Sequence, residues 1–100
     1  MSTTAVDRST RAVHVRPPPR WRVVLHNDDY TPFDFVVDLL MRRYAKSEPE
    51  ALRIAMNVHH TGFGVAGTFT KEIAVQKVID TSNIARAHGY PLLVEAEQDS

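Results

Sequence analysis

The chain has 100 residues, 12 basic against 12 acidic side chains, and no cysteine. This length predicts one small domain with a single core, and the balanced charge argues against binding nucleic acid or a membrane through net charge. The lack of cysteine excludes disulfides and thiolate metal sites and favours a reducing, cytoplasmic compartment. No apolar run approaches the roughly 20 residues of a membrane-spanning helix, and we expect no secretory signal.

Residues 1–19 are predicted to form a mobile basic arm in front of the folded domain. Ser, Thr and Arg are frequent there, and the segment ends in Pro17-Pro18-Pro19, which favours an extended polyproline conformation. The arm could be a dispensable disordered terminus or a segment with a function. Its arginines also allow a nucleic-acid-binding hypothesis, but the arm lacks the interleaved aromatic residues typical of that function.

A strand and a helix are predicted first. Apolar Trp21, Val23 and Leu25 alternate along a half-buried strand with Arg22, Val24 and His26. The turn-forming run Asn27-Asp28-Asp29 ends the strand. Thr31 is then predicted as the N-cap of the first helix, with Pro32 at its first position. The apolar face of that helix is predicted to contain Phe33, Val36, Val37, Leu40, Met41 and Tyr44.

The rest of the chain predicts two further helices and two further strands. Ser47 and Glu50 form a capping box for the second helix, which should end near Gly62. A short strand over 65–69 should contain a bulge or a close approach of another segment, and Thr70 should cap a third helix with Ala74, Val78 and Ala85 on its apolar stripe. The last strand is predicted over 92–96. The fold class is therefore α+β: a three-stranded, mostly antiparallel sheet covered by three helices, in the order β-α-α-β-α-β. The core domain is expected over residues 20–97, with 98–100 flexible.

Three hydrogen-bond acceptors are the main functional signal. A primary ammonium has three donors, and Asn27, Asp28 and a neutral His59 could together accept them. The alternative is an ordinary turn beside a partly buried histidine. Catalysis by Asp28, Asp29 and His59 is disfavoured, because no nucleophile motif or phosphate-binding loop accompanies them. A metal at His59-His60 is not expected, since adjacent helical side chains point about 100° apart.

Four motifs in fixed order resemble the ClpS family, the bacterial adaptors that deliver N-degron substrates to a Clp AAA+ unfoldase and protease. They are Asn27-Asp28-Asp29-Tyr30-Thr31-Pro32-x-x-Phe35-Val36, Val58-His59-x-x-Gly62, Thr70-x-Glu72-x-Ala74-x-x-Lys77 and Pro91-Leu92. The resemblance extends from about residue 21 to 97. It implies a binding module with no catalytic residues, no cofactor and no metal.

The resemblance also implies roles for individual residues. The free α-amino group of a substrate would be bound by Asn27, Asp28 and His59. Its first side chain, typically Phe, Tyr, Trp or Leu, would enter a pocket lined or gated by Thr31, Phe33, Val36, Ala55, Val58 and Leu92. A ClpA- or ClpC-like unfoldase would contact Tyr30, Glu72 and Lys77, and the arm would engage it during delivery. The alternative within this class is a docking module with altered or lost N-degron specificity.

Two pocket residues depart from the pattern most often seen in that family. Phe33 and Ala55 occupy positions where Met is common. Ala leaves space where a flexible thioether would lie, so the pocket could accept β-branched first residues such as Ile or Val. Alternatively, Phe33 fills the volume that Ala55 leaves. If His59 accepts a hydrogen bond from the ammonium, binding should also weaken as the imidazole becomes protonated in mildly acidic solution.

Overall fold

The computed structural model describes residues 16–99, and residues 1–15 of the predicted arm lie outside this range. Three strands and three helices follow one another as β1 (Arg20–His26), α1 (Phe33–Arg43), α2 (Glu48–Thr61), β2 (Phe63–Phe69), α3 (Lys71–Ala87) and β3 (Leu93–Asp99). The sheet order is β2-β1-β3, and β1 is antiparallel to both neighbours. The predicted α+β class and element order are confirmed.

The central strand β1 contributes buried side chains to both faces of the sheet. Val23 and Leu25 are fully buried and join the hydrophobic core beneath the helices. Val24 points to the opposite face, which none of the three helices in residues 16–99 covers, and yet it is only 3 % exposed. Arg22, His26 and residues of β2 surround Val24 on that face. The alternation of apolar and other residues predicted a strand with one buried face, but Val24 on the second face is buried as well.

A bulge interrupts the pairing of β1 with β2. Val23 pairs with Gly67, whereas the next residue, Val24, pairs with Val65. Ala66 is the additional residue, and its side chain is fully buried in the core. The bulge predicted from the glycine spacing of this segment is confirmed. It allows Ala66 to be buried while the strand on either side keeps its pairing with β1.

The start of α1 differs from the prediction. The N-cap is Pro32, and no side chain caps the helix. Thr31 is not the N-cap, because its hydroxyl donates to Oδ2 of Asp28 at 2.7 Å in the preceding turn. The hydroxyl of a Ser or Thr just before a helix can hydrogen-bond either to the first turn of the helix or to a group in the preceding turn. Here the charged acceptor in the turn binds the hydroxyl.

The buried face of α1 contains Val36, Leu39 and Leu40, followed by Tyr44 at the end of the helix. The predicted face included Met41, which is 40 % exposed, and omitted Leu39, which is 3 % exposed. The buried stripe is thus rotated slightly from the prediction. Leu39 and Leu40 both belong to the core cluster, to which α2 contributes Ala51, Ala55 and Val58.

Both predicted ends of α2 are confirmed. Ser47 and Glu50 form the capping box, with Pro49 in the first turn. Gly62 ends the helix with φ of 98°, a left-handed conformation that favours glycine, and its N–H donates to the carbonyl of Val58. The buried residues of α2 are Ala51, Ala55 and Val58. Two of these three are small, so the helix lies close to its neighbours.

The long helix α3 buries Ala74, Thr81 and Ala85. Thr70 is its N-cap residue, as predicted, but the threonine side chain makes no capping hydrogen bond. The predicted stripe did not contain Thr81, which is 1 % exposed. This polar side chain is tolerated in the core because its hydroxyl pairs with that of Tyr44 at 2.7 Å. The bond joins α3 to the end of α1.

The last strand begins at Leu93 and continues to Asp99, beyond the predicted end at 96. Its extra length follows from pairing with the first residues of β1, since Asp99 is opposite Arg20 and Gln98 is opposite Trp21. Residues 98 and 99, which were predicted to be flexible, are therefore the last two residues of β3. None of the helices in residues 16–99 is long and apolar enough to cross a membrane.

Candidate functional site

The turn after β1 is organised by the carboxylate of Asp28. Its Oδ1 accepts the backbone N–H groups of Tyr30 and Thr31, each at 2.8 Å, and its Oδ2 accepts the Thr31 hydroxyl. Such a turn is typical of an aspartate between a strand and a helix. A carboxylate has about four acceptor positions, and three are occupied here. One acceptor position of Asp28 is therefore left for a ligand.

A backbone hydrogen bond joins this turn to the end of α2. The N–H of Asn27 donates to the carbonyl of Gly62 at 2.9 Å. Gly62 directly follows the last turn of α2, in which His59 lies. The bond therefore brings together two segments that are about thirty residues apart in the sequence. The predicted proximity of Asn27, Asp28 and His59 rests on this contact.

A cavity of about 290 Å³ opens between the turn, α1 and α2. It is lined by Asn27, Asp28, Asp29, Thr31, Phe33, Val36, Ala55, Val58 and His59. All three predicted acceptors and five of the six predicted pocket residues lie on its wall. Its volume is near the lower limit of ligand cavities, about 300 Å³, which suits one side chain better than a longer segment.

Leu92 and Asp29 are the two differences between the predicted site and this cavity. Leu92 is 1 % exposed and belongs to the core cluster that also contains Val36, Ala55 and Val58, but it does not line the cavity. Asp29 lines the cavity although the predicted binding set did not include it. The sequence feature that could have identified Asp29 is its position in the run Asn27-Asp28-Asp29, because all three of these residues line the cavity.

The cavity has a polar rim and an apolar interior. Asn27 and His59 are exposed at the rim, and among the described residues their side chains have no hydrogen-bond partner. The His59 ring contacts that of His60 edge to face, with centroids 5.1 Å apart. The interior side chains of Val36, Ala55 and Val58 are 2–5 % exposed. The arrangement can accept hydrogen bonds from a cationic group and bury the adjoining apolar group.

The electrostatics of the rim favour a cation. Partial burial acts to raise the pKa of the Asp28 carboxyl. The hydrogen bonds from the Thr31 hydroxyl and from the N–H groups of Tyr30 and Thr31 outweigh it, and they hold that pKa below its ordinary value. Asp28 is therefore ionised at neutral pH, and Asp29 adds a second acidic side chain beside it. The rim presents negative charge and acceptor atoms to a ligand.

Glycine at position 64 allows β2 to approach the wall of the cavity. A Cβ atom there would lie 2.8 Å from Cγ2 of Val58 and 3.0 Å from the carbonyl oxygen of Ile54. Both distances are shorter than side chains normally tolerate, so a larger residue would push against α2. The position of Val58 in the cavity wall thus depends on the absence of a side chain at Gly64.

The three residues predicted to contact the unfoldase lie outside the cavity, and they differ in exposure and in the contacts that their side chains make within the domain. Tyr30 is 76 % exposed beside the turn, and Glu72 is exposed in the first turn of α3. Lys77 is half-buried, and its Nζ donates to the carbonyl of Arg43 at 2.7 Å, at the end of α1. The ammonium also lies 5.2 Å from the ring centroid of Tyr44. Lys77 is therefore tied to the domain, whereas the side chains of Tyr30 and Glu72 make no hydrogen bond or ion pair within residues 16–99.

Glu72 lies close to the point where the arm leaves the domain. A shallow depression is lined by Pro18, Pro19 and Trp21 on one side and by Thr70, Lys71 and Glu72 on the other. The Lys71 ammonium stands 5.2 Å over the ring centroid of Trp21. A partner that contacts Glu72 would therefore also meet the described end of the arm.

Comparisons with known proteins agree on one family. A family model described as ATP-dependent Clp protease adaptor protein ClpS matches residues 16–95. The ATP-dependent Clp protease adapter protein ClpS of Desulfatibacillum aliphaticivorans is 48 % identical over 82 residues, which are 82 % of this chain and 79 % of that protein. Its counterpart in Deinococcus radiodurans is 47 % identical over 85 residues, which are 85 % of this chain and 75 % of that protein.

A solved structure supports the same assignment. Agrobacterium tumefaciens ClpS2 bound to L-phenylalaninamide superposes on this chain with a TM-score of 0.79 and 31 % sequence identity. The match covers 83 % of this chain and all of that chain. The family model includes the turn, all three helices and the start of β3. On this evidence the chain belongs to the ClpS family of ATP-dependent Clp protease adaptor proteins.

Proposed function

We propose that this adaptor binds proteins whose first residue is a large hydrophobe, Phe, Tyr, Trp or Leu. The observation that carries the proposal is the cavity between α1 and α2. Acceptors of Asn27, Asp28 and His59 stand at its rim, and apolar side chains line its interior. In the first residue of a protein, two bonds separate the α-ammonium nitrogen from the first carbon of the side chain. Both groups therefore fit a small cavity of this kind.

Each half of the ligand contributes to affinity in a different way. Hydrogen bonds between the ammonium and charged acceptors contribute about 1.5–3 kcal/mol each. Burying the first side chain among Val36, Ala55 and Val58 contributes about another 1.5–3 kcal/mol. A lysine side chain lacks the adjoining apolar group, and an internal leucine lacks the ammonium. The requirement for both groups is what separates a protein N-terminus from other chain segments.

The relative solved with a ligand gives independent support. L-phenylalaninamide, bound to Agrobacterium tumefaciens ClpS2, has a free α-amino group and an aromatic side chain. These are the two groups that the rim and interior of the present cavity suit chemically. We therefore assign the α-amino group to Asn27, Asp28 and His59, and the first side chain to the interior. Leu92 would support the pocket from the core behind it.

The proposed outcome of binding is delivery of the substrate to a ClpA- or ClpC-like AAA+ unfoldase, with no chemistry performed by the adaptor. Tyr30 and Glu72 are exposed and would contact the unfoldase, and the arm would follow from the adjacent Pro18 and Pro19. Lys77 would also contact the unfoldase, next to the end of α1, where its Nζ donates to the carbonyl of Arg43. Glu72→Gln should weaken unfoldase binding about two- to fivefold, the range for an exposed ion pair. Glu48→Gln in the first turn of α2 is the matched control.

Substrate binding is tested with four peptides that carry a fluorophore at the C-terminus and differ only at the N-terminus: Phe, Leu, Gly and N-acetylated Phe. Fluorescence anisotropy should show saturable binding of the Phe and Leu peptides and at least about tenfold weaker binding of the other two. Equal binding of all four would contradict the proposal. If none of them binds, the docking module with lost N-degron specificity becomes the better account.

A further inference from the structure

We propose that the face of the sheet opposite the three described helices contains a binding site for a divalent transition-metal ion, formed by His26, Glu95 and Glu97. The ligand atoms of these three side chains lie within 4.8 Å of one another. We call these three residues the open-face triad. The site is separate from the cavity between α1 and α2, which contains none of them.

The register of the sheet explains why the triad converges. His26 of β1 is paired with Leu93 of β3, and Val24 is paired with Glu95. Arg22 is paired with Glu97. His26, Glu95 and Glu97 therefore point to the same face, because side chains two residues apart share a face. Glu95 is the diagonal neighbour of His26, and Glu97 lies one further pair along β3. The backbone of two paired strands holds the three side chains in place.

The imidazole of His26 has an unsatisfied nitrogen that faces the two carboxylates. Its Nε2 is shielded from solvent and makes no hydrogen bond of acceptable geometry, although it lies 2.9 Å from Oε1 of Glu95. An enclosed polar atom without a partner is uncommon in a folded protein. A metal ion bound to Nε2 and to both carboxylates would satisfy it, and its positive charge would offset the repulsion between the two carboxylates.

The distances require only small side-chain movements. In a tetrahedral zinc site with bonds of about 2.1 Å, the ligand atoms are about 3.4 Å apart. The ligand atoms of His26 and Glu95 would separate by about half an ångström, and those of the wider pairs would close by at most about 1.4 Å. The side chains of Glu95 and Glu97 are 52 % and 45 % exposed, so both can move. Arg22 donates to Oε1 of Glu97 at 3.0 Å, which leaves the other oxygen free to bind the ion.

The donor set selects the class of ion. One imidazole nitrogen with two carboxylate oxygens suits Zn²⁺ and similar first-row ions, whereas Mg²⁺ and Ca²⁺ prefer oxygen ligands alone. A depression of about 280 Å³ lies beside the triad, lined by Arg22, Val24, Phe63 and other residues of this face. It leaves space for a water molecule as the fourth ligand. The alternative is a pair of cross-strand ion pairs, His26–Glu95 and Arg22–Glu97, with no affinity for a metal.

The test is a calorimetric titration of the full chain, free of affinity tags, with Zn²⁺ in a buffer that does not chelate metals. We expect one zinc ion per chain. His26→Ala and Glu95→Gln should each weaken binding at least about tenfold. The matched controls are His60→Ala and Glu48→Gln, which remove a histidine and a glutamate elsewhere and should leave the affinity unchanged. Glu95→Gln preserves the shape of the side chain, and thermal unfolding checks that every variant is folded.

Histidine NMR signals identify the ligand directly, because the chain has five histidines. The ring signals of His26 should shift or broaden with up to one equivalent of Zn²⁺ while those of the other four stay in place. A hundredfold excess of Mg²⁺ should not displace the zinc. The proposal is overturned by the absence of saturable binding, by equal affinity in both triad variants, or by changes that begin at His59 and His60. The first of these results would favour the ion-pair alternative.

Discussion

Replacing Asp28 by Asn separates the two roles of this side chain, in the turn and toward the ligand. Asn keeps an Oδ1 atom that can accept the N–H groups of Tyr30 and Thr31, which are both 2.8 Å from Oδ1 in the native turn. It loses the negative charge and the second acceptor oxygen. The Thr31 hydroxyl, which donates to Oδ2 at 2.7 Å, can instead accept from the new amide. The turn should therefore persist while the anionic acceptor disappears.

The expected loss of affinity follows from the single acceptor position that Asp28 leaves open. A hydrogen bond between charged partners contributes about 1.5–3 kcal/mol, which corresponds to about a 10- to 150-fold change in Kd. Asp28 is only partly buried, so water weakens the interaction and the lower part of this range applies. We expect Asp28→Asn to raise the Kd for a Phe-initiated peptide about 10- to 30-fold.

Asp29→Asn is the matched control, because it removes the same charge from the rim of the same cavity. Asp29 accepts no hydrogen bond from the turn, so its variant should change the Kd no more than about threefold through screened electrostatics. Peptide anisotropy at fixed salt measures both variants, and urea unfolding confirms that their stability is comparable. Equal effects of the two substitutions, or an Asp28→Asn affinity within twofold of wild type, would refute direct recognition by Asp28.

Four further predictions follow from the same contacts. The folded-state pKa of Asp28 lies below the unfolded value of about 3.9, so its stabilisation is complete above that value and is lost as the pH falls through the folded-state pKa. Urea unfolding against pH should show this loss in wild type but not in Asp28→Asn. Gly64→Ala should lower stability by about 1–3 kcal/mol and weaken peptide binding, because its Cβ would displace Val58; unaltered binding would contradict this. Ala55→Met should lower the affinity for Ile- and Val-initiated peptides relative to Leu, whereas unchanged ratios would mean that Ala55 does not set the preference. Lys77→Met should lower the free energy of unfolding by about 1 kcal/mol through loss of its bond to Arg43, as urea titration would measure.

Local chemistry made much of the fold predictable from sequence. The capping box at Ser47 and Glu50 and the left-handed Gly62 define both ends of α2 through contacts within a few residues. The glycine spacing near Gly67 indicated the bulge. Such features depend on short stretches of backbone, so they can be recognised before the tertiary structure is known.

Tertiary contacts account for what the sequence did not predict. The Thr31 hydroxyl had two available partners, and only the folded turn shows that it bonds to Asp28. Thr81 is buried because Tyr44, 37 residues earlier, supplies its partner. Five of the six residues that the resemblance to ClpS assigned to the pocket line the cavity, because the resemblance relates segments that are distant in the sequence. The open-face triad joins His26 to Glu95 and Glu97 through strand register, which no local pattern of this sequence encodes.

Competition between two small molecules tests the central claim most directly. L-phenylalaninamide has both the free amine and the aromatic side chain, and N-acetyl-L-phenylalaninamide differs from it only in the blocked amine. Each would be titrated against a bound, fluorescent Phe-initiated peptide. We predict that the free amine displaces the peptide at a concentration at least about tenfold below that of the acetylated compound, because only the free amine can donate to Asn27, Asp28 and His59. Equal displacement by the two compounds would contradict recognition of the α-amino group at this site.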